Sequence, residues 1–480
     1  MTHPFPVVVL IAGAAMTFPL LAPATAPCIR PTRAGTQVQG EVQVCPGRYR
    51  IPDPRAQGVI VAASSGTRID LTGVTLQSGD TAPERFTGRG VVVSNLDNVT
   101  IIGGTIRGYQ YGVRIEGGRG HRISGVDVSG SRATRLRSTP ERYDERDWLD
   151  IFRPDTFEQY GSGIYLRGTD GASVTNVVSR GAQNGIGLFA ARASYIADND
   201  VSGNSGWGIH LWRSSQNIIV RNRAHHNVRC ESERYRRGCD SAGILLREQS
   251  DSNTIAHNDL SRSGDGFFLS GHRPLVKPSI GNLVLRNDAT GAWHNAFEST
   301  FSWGNTFIDN RADSSDYGFW LGYSSGNLVR GNTIVGSRTA GIAIEHGSDN
   351  TLAANVIIGA PTGIRLFAPT AGAEPSRGYA VDDNVLARLE RAVVLESTTR
   401  ARIRGNLFDG VRDGLIVDSM GRDAAVTGNV FLRASGRFID AAALDAGGNY
   451  WGAASEADAR AQVAPGVTIA PWRPARAAGY

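Results

Sequence analysis

SAGILLRE at Ser241 to Glu248, DGFFLSG at Asp265 to Gly271, NAFEST at Asn295 to Thr300, YGFWLGY at Tyr317 to Tyr323 and AGIAIEHG at Ala340 to Gly347 are five versions of one short phrase. In each, two small or apolar residues bracket one variable position, which is the alternation of a β-strand. A second phrase bounded by asparagine follows each of the five: NTIAHN from Asn253, NLVLRN from Asn282, NTFIDN from Asn305, NLVRGN from Asn327 and NTLAAN from Asn350. Together the two phrases make one coil of chain, and the coil repeats.

Outward from this stretch the lead glycine continues as Gly112, Gly163, Gly185 and Gly208 on one side and Gly363 and Gly414 on the other, with Ala296 and Ala392 in equivalent places. Where nothing is inserted the step is 22 or 23 residues, a period that belongs to stacked repeats rather than to a globular core. An asparagine column keeps register with it, from Asn199 and Asn222 to Asn406 and Asn429. The pattern predicts an all-β, single-stranded right-handed parallel β-helix of short strands, with coils about 4.8 Å apart. Ile164, Ile186, Ile209, Ile244, Phe267, Phe297, Phe319, Ile342 and Ile364 then form an inward column, and the asparagines can bond one another along the stack. A leucine-rich repeat has a different Leu and Asn spacing and often a helix, and no stretch here has sustained helical periodicity.

The GIxL and NxIxxN columns between Gly90 and Asn429, with GGNYWG at Gly447 to Gly452, resemble the pectin-lyase-like β-helix proteins. More narrowly they are similar to the carbohydrate-binding and sugar-hydrolase group of β-helices that includes the NosD-like proteins. The resemblance implies the solenoid fold. It leaves function broad, because the group includes lyases, hydrolases, epimerases and proteins with no known activity.

The ends read differently from the middle. Val7 to Ala15 is a short apolar core followed by Ala-Thr-Ala at Ala24 to Ala26, so residues 1–26 are expected to be a signal peptide and the protein secreted or periplasmic. Residues 27–57, broken by Pro and Gly, are expected to form an N-terminal cap, 58–446 the β-helix, and 447–480 a C-terminal cap and tail. Four cysteines in an exported chain are expected to pair, locally, as Cys28 with Cys45 and Cys230 with Cys239. The formal net charge of +5 rests almost wholly on arginine, Lys277 being the one lysine. That composition suits capture of carboxylates but does not decide function. We expect a polysaccharide or oligosaccharide partner, possible anionic character included, with no nucleic acid, no membrane and a monomeric chain.

Three insertions break the repeat: residues 131–162, containing YDERDWLDIFRPDTFEQYG, residues 227–241, containing Cys230 and Cys239, and residues 271–280. The first two precede the GIxL strand and the third follows it, so they are expected to wall a groove on that sheet. Strand parity points Tyr165, His210, Leu245, Phe268, Glu298 and Trp320 outward, with Arg167, Phe189, Trp212, Arg247 and Glu345 in a second outward column. Tyr165, Phe189, Trp212, Phe268 and Trp320 read as an exposed aromatic track for stacking sugar rings, with His210 and Arg247 as polar contacts.

Carboxylates stand among these residues. Glycoside hydrolysis needs one protonated and one ionised carboxyl. Glu298 is the first candidate for the acid, and Asp265, one coil away, is its partner in an inverting pair; Asp240, Glu345 and Asp150 of the DWLDIF loop complete the catalytic candidates. A lyase or uronan C5-epimerase would instead draw on Arg247, His210 and Tyr165 for charge neutralisation and proton abstraction. The third possibility is a non-catalytic module that binds glycan or assists metal-site assembly. No cofactor or metal is called for, calcium being the one ion left open. His225 and His226 are adjacent, so in a strand they would face opposite ways and chelate poorly.

Overall fold

The computed structural model describes residues 28–154, 156–230, 238–271, 277–369 and 376–474. The apolar core and cleavage site expected near the N-terminus lie outside the described residues. Within them the chain winds as a right-handed parallel β-helix, its coils wrapped by a 16-stranded sheet, a 15-stranded sheet and shorter sheets of 7 and 3 strands. Neighbouring strands pair in parallel from one end of the stack to the other.

The 16-stranded sheet is built from the GIxL phrases. Ile164 pairs with Ile186, Ile186 with Ile209, Ile209 with Ile244, and the column continues through Phe267, Phe297, Phe319 and Ile342 to Ile364. All nine are buried, each such side chain contributing about 1.5–3 kcal/mol. The lead glycine is fixed by space: a Cβ on Gly266 would sit 2.4 Å from the Ala289 Cβ and 2.5 Å from the Ala296 carbonyl oxygen.

The NxIxxN phrases form the 15-stranded sheet and the turns after it. The backbone N–H and the Nδ2–H of Asn310 both donate to Oδ1 of Asn332, at 2.8 and 3.0 Å, and Asn332 repeats the pattern on Asn355. This ladder runs from Asn199 to Asn449, and a second one follows Asn217, Asn253, Asn282 and Asn305. The residue before a ladder asparagine takes the left-handed conformation even where it is not glycine, as His257 does at φ 56° and Asp309 at φ 53°. Ladder bonds offset that local cost of about 1–2 kcal/mol.

The stack starts earlier than the sequence suggests. Thr36–Val38, Glu41–Gln43 and Gly47–Arg50 already pair with the following coil, so the stretch expected to be an irregular cap contains the first coil. Its strands have only three or four residues, too few for alternation to be visible between prolines and glycines. Toward the C-terminus Trp451 stacks on Phe431 at 4.9 Å, and a helix at Glu456–Ala461, capped by Ser455, packs Ala459 into the core. Both expected disulfides, Cys28–Cys45 and Cys230–Cys239, are present. Among the described residues no helix is long and apolar enough to cross a membrane.

Candidate active site

The first insertion does not wall the GIxL sheet; it lies on it. From Gly130 the chain crosses the outward face, forms a short 3-10 turn at Glu145–Asp147 and a helical turn at Thr156–Tyr160, and returns at Ser162. Phe157 is inserted between Tyr165 and His210, with ring centroids 5.3 and 4.3 Å away. Leu149, Ile151 and Tyr160 cover Trp207, Leu245 and Phe268. A buried ion pair, Arg229 with Asp147, anchors the same segment.

Tyr165, His210, Trp212, Arg247 and Phe268 are therefore buried, and the exposed aromatic track expected from strand parity does not exist over these coils. Parity was right about direction: these side chains do leave the solenoid core, but they enter a second core beneath the insertion. Arg247 is consumed structurally, its Nε donating to the Ile151 carbonyl and its Nη1 to those of Ser270 and Gly271. His210 is held neutral, burial pushing its pKa well below the ordinary imidazole value and Arg247 adding to the shift. Burial likewise raises the Tyr165 phenol far above its ordinary range. Phe157→Ala is expected to remove about 3–5 kcal/mol of packing and to unseat the insertion. The check is carboethoxylation of His210, which is expected to become fast while the far-ultraviolet spectrum is kept; unchanged protection would mean Phe157 does not hold the cover.

Past Phe268 burial of the outward column becomes partial. Glu298 lies beside Phe268 on one coil and Trp320 on the next, and both Glu298 and Trp320 are only partly buried. Trp320 packs edge-on to Tyr317 at 4.9 Å and Phe367 at 6.0 Å, giving a partly buried aromatic cluster. Of Tyr165, His210, Trp212, Arg247, Phe268 and Trp320, the last alone is not buried.

Three of the expected carboxylates converge here. Asp265 sits where its strand begins; its Oδ1 accepts the Asn295 backbone N–H at 2.8 Å and lies 3.4 Å from Nδ1 of His294. Asn295 Nδ2 in turn donates to Glu298 Oε2. One ligand atom each from Asp265, His294 and Glu298 lie within 4.8 Å of one another. Asp240 stands one turn earlier, in the left-handed pair Cys239–Asp240 that the Cys230–Cys239 disulfide fixes, with its backbone carbonyl accepting Trp207 Nε1–H.

The electrostatics separate these groups. Burial, followed by repulsion from Asp265 and Asp240, raises the Glu298 carboxyl well above the usual range. Asp240 is raised to about 7 by burial and by Asp265. Burial would lower His294, but the hydrogen bond and charge of Asp265, with Glu298 and Asp316 behind it, lift it to about 9. The site thus sets the raised Glu298 carboxyl and the raised His294 imidazole beside Asp265.

Two catalytic candidates fall outside this group. Asp150 caps a turn within the insertion, accepting the Phe152 N–H and pairing with Arg153. Glu345 lies two coils past Thr300 in the second column, 3.4 Å from Nδ1 of His346. His294 was missed because it occupies a turn, where strand parity gives no direction. The signal was its place just ahead of a strand, the position that Asp240, Asp265 and Asp316 share. Asp316 is ion-paired with Arg338.

The sequence profile of the family described as "Periplasmic copper-binding protein (NosD)" matches residues 65–263 and 263–458. No curated protein matches significantly. Among solved structures, the Azotobacter vinelandii mannuronan C-5 epimerase AlgE4 A-module is 14% identical, with TM-score 0.47 over 70% of this chain and 91% of its own. A double mutant of the periplasmic alginate epimerase AlgG is 15% identical, with TM-score 0.44 over 82% and 85%. PfbA, a surface adhesin of Streptococcus pneumoniae, is 11% identical, with TM-score 0.43 over 83% and 84%. Likeness of this size says nothing about activity.

Proposed function

For a chain that belongs to the NosD family of periplasmic copper-binding proteins, we propose an exported glycan-processing protein that cleaves glycosidic bonds of a polysaccharide or oligosaccharide at the Glu298 site. The observation that supports this reading is the proximity of Glu298, whose carboxyl is raised well above the usual range, to Asp265, next to the aromatic ring of Trp320. Glu298 gives its proton to the glycosidic oxygen as the bond to the anomeric carbon breaks, and Asp265 stabilises or captures the positive centre. Water then attacks, returning a proton to Glu298. The His294 imidazolium lowers the cost of the negative charge that Glu298 takes up during the cycle.

Spacing modifies the sequence expectation. An inverting pair leaves about 6.5–9.5 Å between carboxyl groups, and a retaining pair about 5–5.5 Å. Asp265 and Glu298 oxygens within 4.8 Å support the retaining geometry. Lyase or epimerase chemistry loses support, since His210, Tyr165 and Arg247, the groups it would use, are sealed under the insertion.

A second reading rests on the same three residues. One imidazole nitrogen and two carboxylate oxygens suit a borderline divalent ion such as copper(II), while the absence of thiolate or thioether among them disfavours copper(I). Bound there, such an ion would supply Lewis-acid neutralisation of a sugar carboxylate or a site for metal transfer.

Screening the exported protein on a broad glycan panel with product masses tests the main reading. Hydrolysis adds one water per cleavage and leaves no ultraviolet-absorbing unsaturated sugar. Rate is expected to fall about tenfold per pH unit once pH passes the raised carboxyl pKa values, because the acid form does the work. A rate that climbs through that range, or activity abolished by chelator and restored by metal, would replace the acid with the metal reading.

A further inference from the structure

Trp320 points out of the solenoid, yet its ring does not stand away from the sheet. Register places Phe367 two coils further on, with Ala343 in the coil between. Two coils are about 10 Å apart. The Trp320 and Phe367 ring centroids are only 6.0 Å apart, so the indole leans along the solenoid axis over Ala343. Ala343 bears this out: it shares the outward column with Trp320 and is nonetheless fully buried, in a cluster with Tyr317, Trp320 and Phe367. Gly322 makes room for the indole edge. A Cβ there would lie 3.3 Å from Trp320 Nε1 and 3.4 Å from Thr300 Cγ2, so the indole occupies space that a side chain at this position would claim. With one face of the ring over Ala343 and two aromatic rings against it, the surface that Trp320 keeps is its opposite face.

Resting on the reading of Glu298 as the acid at the cleaved bond, we propose that Gly322 and Ala343 select which glycan is accepted there, by laying the Trp320 indole flat on the sheet as a platform for one pyranose ring. Neither residue touches the sugar; both act through the indole, and both are positioning residues. An aromatic face held in this way stacks against the C–H face of a sugar. Trp320 is one coil from Glu298, about 4.8 Å, which is about the length of one pyranose unit in a chain. A chain that meets both residues therefore runs along the solenoid axis. Arg365 ends the apolar stretch three coils from Glu298, its guanidinium 4.1 Å from the centre of the Phe367 ring and paired with Glu396.

The platform fixes the class of glycan by its flatness. A ring stacked on the indole keeps its own plane parallel to the sheet, and its neighbour over Glu298 must lie close to the same plane. Successive rings do so where both glycosidic bonds of each ring are equatorial, as in β-1,4-linked glucose, mannose or N-acetylglucosamine. An α-1,4 linkage of glucose sets one of the two bonds axial and turns each ring out of the plane of the last. The glycan accepted is thus a β-1,4-linked, ribbon-shaped chain.

Binding is measured by calorimetry on the full chain carrying Glu298→Gln, so that no probe is consumed. The probes are cellotetraose, β-1,4-mannotetraose and chitotetraose, with maltotetraose as the bent control. At least one of the three ribbon-shaped tetrasaccharides is expected to bind about tenfold tighter than maltotetraose. Gly322→Val puts a branched side chain under the indole edge; the atoms it meets within 4 Å belong to side chains, so the strand keeps its path and the far-ultraviolet spectrum its shape. It is expected to weaken binding about tenfold, Trp320→Ala about as much, and the double variant no further, because Gly322 acts only through the indole. For a probe that the parent protein cleaves, KM rises in Gly322→Val while kcat stays within about threefold. Unchanged binding in Gly322→Val, additive losses in the double variant, maltotetraose bound as tightly as the other probes, or no probe bound at all would each overturn the proposal. Binding that depends on Trp320 without cleavage by the parent keeps the platform and removes the hydrolytic reading; cleavage by the parent with binding indifferent to Trp320 does the reverse.

Discussion

Glu298→Gln is expected to lower turnover at least 100-fold on any glycan the protein cleaves, with secondary structure and sugar affinity kept. General acid catalysis contributes about 10²–10⁴-fold, and an amide of the same shape cannot give the proton. Burial favours the neutral form of Glu298 between Phe268 and Trp320, so an uncharged glutamine of the same shape disturbs its surroundings little. The same fact predicts the sign of the stability change. A carboxyl whose folded pKa is raised binds its proton more tightly when folded, so stability falls as pH rises from the unfolded value through the folded one. The variant lacks that penalty and should be at least as stable as the parent above neutral pH. Turnover within threefold of the parent would remove Glu298 from the mechanism; a lower melting point at alkaline pH would show that its carboxyl is charged in the folded state.

Asn332→Ala carries the largest expected effect on the scaffold. Asn332 is fully buried, and its Oδ1 accepts two bonds from Asn310 while its Nδ2 donates to the carbonyls of Phe307 and Arg330 and to Asn355. Removing the amide strands the Asn310 N–H and the Phe307 carbonyl in a dry interior, and each buried group left unpaired costs about 1–3 kcal/mol. The total should be about 3–5 kcal/mol in chemical denaturation, a large part of a typical domain's stability. Because each coil touches only its neighbours, the loss should also show as local hydrogen exchange around Asn310 and Asn355. A change below 1 kcal/mol would mean that water enters the ladder and satisfies the orphaned groups.

The site was legible in part. Asp240, Asp265 and Glu298 were found because parity and register place them on one edge of one sheet, and the register holds residue for residue from Ile164 to Ile364. His294 was not, although it completes the group, because a turn residue has no fixed side. Asp150 and Glu345 looked equivalent on the sequence; local ion pairs and coil height set them apart.

By itself the sequence determined the solenoid, its inward column, its asparagine ladders and its two local disulfides, since each follows from a short period and from neighbours one coil apart. What covers the outward face is a different kind of question. Residues 131–162 carry no repeat, and nothing in their composition says whether they stand beside the sheet or lie across it. The tertiary structure decided that they lie across it, because Leu149, Ile151 and Tyr160 pack with Trp207, Leu245 and Phe268, and Phe157 with Tyr111, Tyr165 and Trp212. That single packing choice buried Tyr165, His210, Trp212, Arg247 and Phe268, and left the chemistry to the coil where the cover stops.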